Sequence, residues 1–245
     1  MSSTMTASKP RFARFECRAL PLPPSSVCGL AGASPSGDRS GSERATTFRQ
    51  EMPAVFGALR RITSALDRSK VSQPASAIAV FAFNKVRSTV EHQLLSLPAS
   101  PQEALAPPTP HDAHVDEAAR VASLIYINYV LRDINISIAL LRVLKRKLMD
   151  ECEQHGASAA EVTDEAALRL LLWSVCMGAL LAADEREDDW FAERVARAMM
   201  RTGLGSWAEV EACLRRFLWV KKMSDSLRGG FWLKVEEQLE RLRRG

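Results

Sequence analysis

The densest run of chemistry-bearing side chains is Asp184-Glu185-Arg186-Glu187-Asp188-Asp189, which follows an apolar stretch over residues 170–183. Carboxylates gathered in this way can hold magnesium against a diphosphate. The run fits an Asp-Asp-x-x-Asp/Glu pattern only with Glu185 in the second place. That chemistry also needs a second ligand set of Asn, Ser and Glu at helical spacing. The nearest candidate is Asn84 with Ser88, and His92 stands where the Glu is required. The run is therefore read as a solvated turn leading into a helix N-terminus, where negative charge complements the helix dipole.

His111 and His114, with Asp112 and Asp116, carry metal-ligating groups, but they close a proline-rich stretch with no third His or Cys nearby. A solvated loop is the expectation there. His92 and His155 read as surface residues near helix ends. The nucleophile-elbow, zinc-protease, Cys-x-x-Cys, P-loop and dinucleotide-loop patterns are all missing from the sequence. No catalytic, cofactor-binding or metal-binding residue is assigned, and no cofactor is expected.

Two basic groups bear on nucleic acid. Arg142, Lys145, Arg146 and Lys147 form one, and Arg241, Arg243 and Arg244 the other. Neither has aromatic residues interleaved for base stacking, and Asp150, Glu151 and Glu153 follow the first closely. A solvated helix face is expected for the first group. The net charge of +4, from 33 basic and 29 acidic residues, is spread along the chain and gives no basic footprint.

The elements that position these residues read as helices throughout. Phe48, Met52, Val55, Leu59, Ile62 and Leu66 recur at steps of four and three, with Pro53 placed in the first turn. A second helix is predicted over 75–97, burying Ala79, Phe83, Val86, Val90, Leu94 and Leu97. Five prolines over 98–112 make a stiff connection. Beyond it, 115–134 and 136–154 read as two helices or one kinked helix. The first is apolar nearly all round and central. The second faces Leu141, Leu144 and Leu148 inward, with Arg142, Lys145 and Arg146 outside. Thr163 is placed as the N-cap of a helix over 165–183, and Asp188 and Asp189 open the next, which Gly203 to Gly205 close. Ser206 and Glu209 make a capping box before Trp207, Val210, Leu214, Phe217 and Leu218. A break at Gly229 and Gly230 precedes a last helix over 231–243. With no period-two strand, the class is all-α: an irregular bundle of about seven to eight helices behind a disordered N-terminal tail. The domain reading is a Ser/Pro/Gly-rich tail at 1–45, a helical hairpin at 46–97, a proline-rich linker at 98–112 and a helical domain at 113–245.

Composition sets the remaining bounds. Apolar residues make up 47% of the chain, enough for a core. The longest uncharged run is too short for the roughly 20 residues that cross a bilayer, so no membrane association is expected. Five widely spaced cysteines, Cys17, Cys28, Cys152, Cys176 and Cys213, read as reduced thiols.

All five tryptophans lie in the last third, at Trp173, Trp190, Trp207, Trp219 and Trp232, each on a stretch with helical apolar spacing. Their order is informative. The segment AARVASLIYINYVLRD is followed by LLLWSVCMGAL, then the Trp190-Phe191 pair, Trp207 opening a helix, Leu218-Trp219 near its end, and Trp232. Over residues 113–238 this succession resembles the regulatory domain of fungal-specific transcription factors, the helical region that follows a zinc binuclear cluster. The resemblance implies a nuclear, non-enzymatic regulator that works by protein contact, as a homo- or hetero-dimer, with a role in effector sensing. A zinc binuclear cluster needs six closely spaced cysteines, and the N-terminal region offers only Cys17 and Cys28. Direct sequence-specific DNA binding is therefore not expected. The alternatives are a small all-α enzyme or apolar-ligand carrier using a Trp-lined interior, and a truncated fragment without activity of its own.

Overall fold

The computed structural model describes residues 48–69, 77–97, 110–131, 137–157 and 164–245. Among them are nine helices and no strand: α1 (Phe48–Ser69), α2 (Ala77–Ser96), α3 (Pro110–Val130), α4 (Ile138–Ala157), α5 (Glu165–Ala179), α6 (Glu185–Thr202), α7 (Trp207–Leu214), α8 (Lys221–Leu227) and α9 (Gly230–Arg244). The all-α expectation holds. The N-terminal tail, the linker up to residue 109, Cys17 and Cys28 lie outside the described residues.

The core is organised around α3, whose residues from Val115 to Leu131 are buried on every side. A helix apolar all round must be covered all round. Here α4 and α5 cover most of it, and α2 and α1 the rest. Helix α5 is the second buried rod, running from Ala167 to Ala179 with only Arg169 partly exposed. It packs against α6, which in turn packs against α9. Packing is tight at Gly178: a Cβ there would lie 2.5 Å from Phe191 Cε1 and 2.9 Å from Leu148 Cδ2. One contiguous core joins Val55, Phe56, Leu59 and Ile62 of α1 to Trp173, Phe191, Phe231 and Val235 of the C-terminal helices.

Helix ends follow side-chain chemistry. Asp164, one residue beyond the predicted Thr163, is the N-cap of α5 and accepts from the Ala166 N–H. Helix α6 starts three residues earlier than predicted, because Asp184 caps it by accepting from the Glu187 N–H. Its C-cap, Gly203, takes φ 68°, a left-handed conformation that lets its own N–H and that of Leu204 reach the carbonyls of the last turn. The Ser206–Glu209 capping box of α7 is formed in both directions. Pro110 is the first residue of α3, where its missing N–H costs nothing. Pro53 is the sixth residue of α1 rather than a first-turn residue, and deletes one backbone bond near that helix's N-terminal end.

The predicted single helix from Ser206 to Leu218 instead stops at Leu214 and tightens into i→i+3 turns at Arg216 and Phe217. The carbonyls released there are claimed from outside. Trp173 Nε1 donates to Leu218 O at 3.0 Å, Arg60 Nε to Phe217 O at 3.2 Å, and a terminal Arg60 nitrogen to Arg216 O. Phe56, Trp173 and Phe217 meet around this turn with ring centroids 5.2 to 6.2 Å apart. The turn thereby ties α1 and α5 to α7, and α8 is the additional short helix that follows it.

Candidate interaction surface

The residues singled out for chemistry are largely consumed by structure. In the acidic run, Asp184 is a cap, and Glu187 accepts from the Ala183 N–H at 2.7 Å and pairs with Lys145. Lys234 of α9 donates to Asp189 at 2.5 Å and to the Glu185 carbonyl at 3.3 Å. No group of three or more His, Cys, Asp and Glu among the described residues is arranged to hold a metal ion. His114 is not in a solvated loop: it sits in the second turn of α3, half-buried, 2.8 Å from Glu151 of α4. Asp116, two residues further along α3, is buried. His92 is exposed on α2, while the His111, Asp112 and His155 side chains lie outside the described residues.

A buried polar knot was not foreseen. Glu117 takes two bonds of 2.6 Å from Arg120, whose third nitrogen donates to the Leu94 carbonyl at 2.9 Å. Lys147 adds a contact to Glu117 at 2.5 Å. Each charge is thus paired and hydrogen-bonded, the condition for tolerating burial. The knot pins α2, α3 and α4 together. Its only signal in the sequence was the i,i+3 spacing of Glu117 and Arg120 ahead of the largely apolar turns of the helix.

The tryptophans fill space and anchor polar contacts. Trp173 is fully buried; Trp207 and Trp232 meet edge to face at 5.1 Å; Trp190 packs on Phe191, under Arg194, and donates to Glu153. Trp219 donates to Ser224, which donates to Glu211. That hydrogen bond, with the Arg215 pair, holds the Glu211 carboxyl below its usual range. The three described cysteines are buried thiols. Burial pushes Cys152 up to about 12 and raises Cys176 and Cys213 as well, so none is poised as a thiolate nucleophile.

The basic cluster on α4 divides in two. Lys145 is buried, correcting its placement on the outside: it donates to the Leu181 carbonyl at 3.2 Å and pairs with Glu187, closing the α5–α6 connection over α4. Lys147 belongs to the Glu117 knot. Arg142 and Arg146 alone face outward, one turn apart, and Asp150 and Glu153 continue the same exposed stripe. Val143, 64% exposed, and Ala139 lie among them, with Ile138 at one end. The stripe lines a groove of about 760 Å³ together with Met149, Ala183 and Glu187.

Much of the family resemblance lies in or against the core: the tyrosine-bearing segment falls largely in α3, the leucine-rich one in α5, and the Trp190-Phe191 pair in the second turn of α6, with Phe191 buried and Trp190 partly so. The profile of the fungal specific transcription factor domain family matches residues 1–239. The chain belongs to that family. The match is broader than the segment 113–238 on which the resemblance was read, and takes in α1 and α2. No curated protein and no solved structure matches the chain. A member of this family has a transcription-regulator-like role. Among the described residues, no helix is long and apolar enough to cross a membrane.

Proposed function

We propose that this chain is a nuclear, non-enzymatic transcription regulator that works through protein–protein contacts, with DNA sequence read by another module. The observation that carries the reading is the family match over residues 1–239. Three features of the molecule support it. The five cysteines are widely spaced and one fewer than the six closely spaced ones a zinc binuclear cluster requires. Among the described candidates for chemistry, Asp184 is a cap, Asp189 pairs with Lys234, and His114 with Glu151. The exposed face of α4 has ordered charge of both signs around Val143, the make-up of a polar docking surface.

The test is a reporter assay with the full chain fused to an unrelated DNA-binding domain. The fusion is expected to change transcription several-fold relative to the DNA-binding domain alone. A fusion that is expressed, folded and bound at the promoter without altering output overturns the proposal.

A further inference from the structure

The outer face of α4 has a charge order that fits a second copy of itself. At 100° per residue, Arg142, Arg146, Asp150 and Glu153 fall within an arc of roughly 80°. They run positive, positive, negative, negative along the helix. The other charges of α4 do not blur this order, since Lys145 is spent on Glu187 and Lys147 on Glu117. His114 of α3 likewise takes Glu151. The four stripe residues are all exposed, and so are Ala139 and Val143 in the same arc or at its edge.

A stripe of this order discriminates among arrangements. Two α4 helices laid side by side in parallel set Arg142 against Arg142 and Glu153 against Glu153, which is repulsive throughout. Laid antiparallel about a two-fold axis between Arg146 and Asp150, each Arg146 meets the other copy's Asp150, and each Arg142 the other copy's Glu153. The surface is then complementary to itself, the requirement for an isologous dimer. We infer that this chain self-associates through antiparallel α4 helices, the second copy lying along the groove beside Met149, Ala183 and Glu187. The inference deepens the protein-contact reading by naming a surface and a partner. Charge pairs dominate the contact, so the dimer belongs to the small, transient class below about 1,200 Å² and weakens as salt shortens the range of those charges.

A charge-swap experiment on the purified full chain decides it by sedimentation. Arg142→Glu/Arg146→Glu makes the stripe wholly acidic, and Asp150→Arg/Glu153→Arg makes it wholly basic. Each variant alone is expected to dissociate, its dimer dissociation constant rising on the order of tenfold or more, which corresponds to at least ~1.4 kcal/mol. Mixed one to one, the two variants are expected to recover a dimer at least as tight as wild type. Because Glu153 also accepts from Trp190, Asp150→Arg alone serves as a variant that spares that bond, with helicity checked by circular dichroism. Wild type that stays monomeric at concentrations on the order of 100 μM in low salt overturns the inference. So do variants that remain dimeric, and so does a mixture that fails to re-associate. None of these outcomes involves transcription, so the regulator proposal stands or falls separately in the reporter assay.

Discussion

A single hydrogen atom in place of a methyl group sets how closely α5 and α6 approach. Gly178 sits inside a helix, where alanine is ordinarily favoured over glycine by about 1 kcal/mol. That gain is outweighed here, since the new Cβ would lie 2.5 and 2.8 Å from two Phe191 ring atoms and 2.9 Å from Leu148. Both neighbours are fully buried and have no solvent to retreat into. Overpacking of this kind costs roughly 1–3 kcal/mol. Gly178→Ala is therefore expected to lower stability by a net of up to about 2 kcal/mol, read as a shift in the denaturant midpoint with the slope unchanged. A midpoint equal to wild type or above it would mean that the helices are not in contact at Gly178. Lys145 shows the limit of reading such positions from sequence. Its polar type and its neighbours Arg142 and Arg146 assigned it to the outside, and nothing local distinguishes it from them. Its burial depends on a carboxylate 42 positions away in sequence, Glu187, and on the Leu181 carbonyl.

At the level of elements, the capping box at Ser206 and Glu209 was legible, whereas the N-cap of α5, Asp164, was placed one residue early and the start of α6, capped by Asp184, three residues late. The stripe of α1, with Val55, Leu59 and Ile62 buried, and the break at Gly203 were read correctly because each depends on residues within a turn or two. The α7 boundary was missed for the opposite reason. Phe217 and Leu218 continue the apolar period, but from Arg216 the backbone tightens into i→i+3 turns, held in place by Arg60 and Trp173, which reach the Phe217 and Leu218 carbonyls from elsewhere in the fold. The start of α7 is local and yields a prediction with a pH signature. The Glu209 carboxyl accepts from the Gly205 N–H at 2.7 Å and the Ser206 N–H at 3.0 Å, and these bonds hold it below its ordinary value of 4.5. A carboxyl whose folded value is depressed stabilises the fold above that ordinary value and loses its contribution as the pH falls through the lowered one. Glu209→Gln is expected to flatten the loss of stability on acidification below about pH 5, and Ser206→Ala to cost about 1 kcal/mol at neutral pH. Denaturation curves across that range check both. An unchanged acid limb in Glu209→Gln would place the loss on other carboxylates.

For the whole molecule, the question is what α1 and α2 do for a family scaffold whose recognisable residues lie beyond them. The resemblance rested on residues 113–238, and the proline-rich stretch before them suggested a place to divide the chain. The packing argues that α3 depends on both sides of that stretch. Thr63 of α1 shares a hydrogen bond of 2.6 Å with the Tyr126 hydroxyl, Leu94 of α2 accepts from Arg120, and Phe56 of α1 lies edge-on to Trp173. Removing α1 and α2 would expose apolar surface on α3. It would also leave the buried Arg120 guanidinium and Tyr126 hydroxyl without those partners, each an unmade bond of roughly 1–3 kcal/mol. Those deficits are a large fraction of the 5–15 kcal/mol that stabilises a typical domain. A chain starting at residue 98 is accordingly expected to lose cooperative unfolding and to bind a hydrophobic dye. All five tryptophans remain in that fragment, so their fluorescence reports directly on the core. Emission shifted to the red of the full chain, most of it from Trp173, is the expected result. A fragment with unchanged emission and a sharp melting transition would show that the helices beyond the prolines form a core of their own.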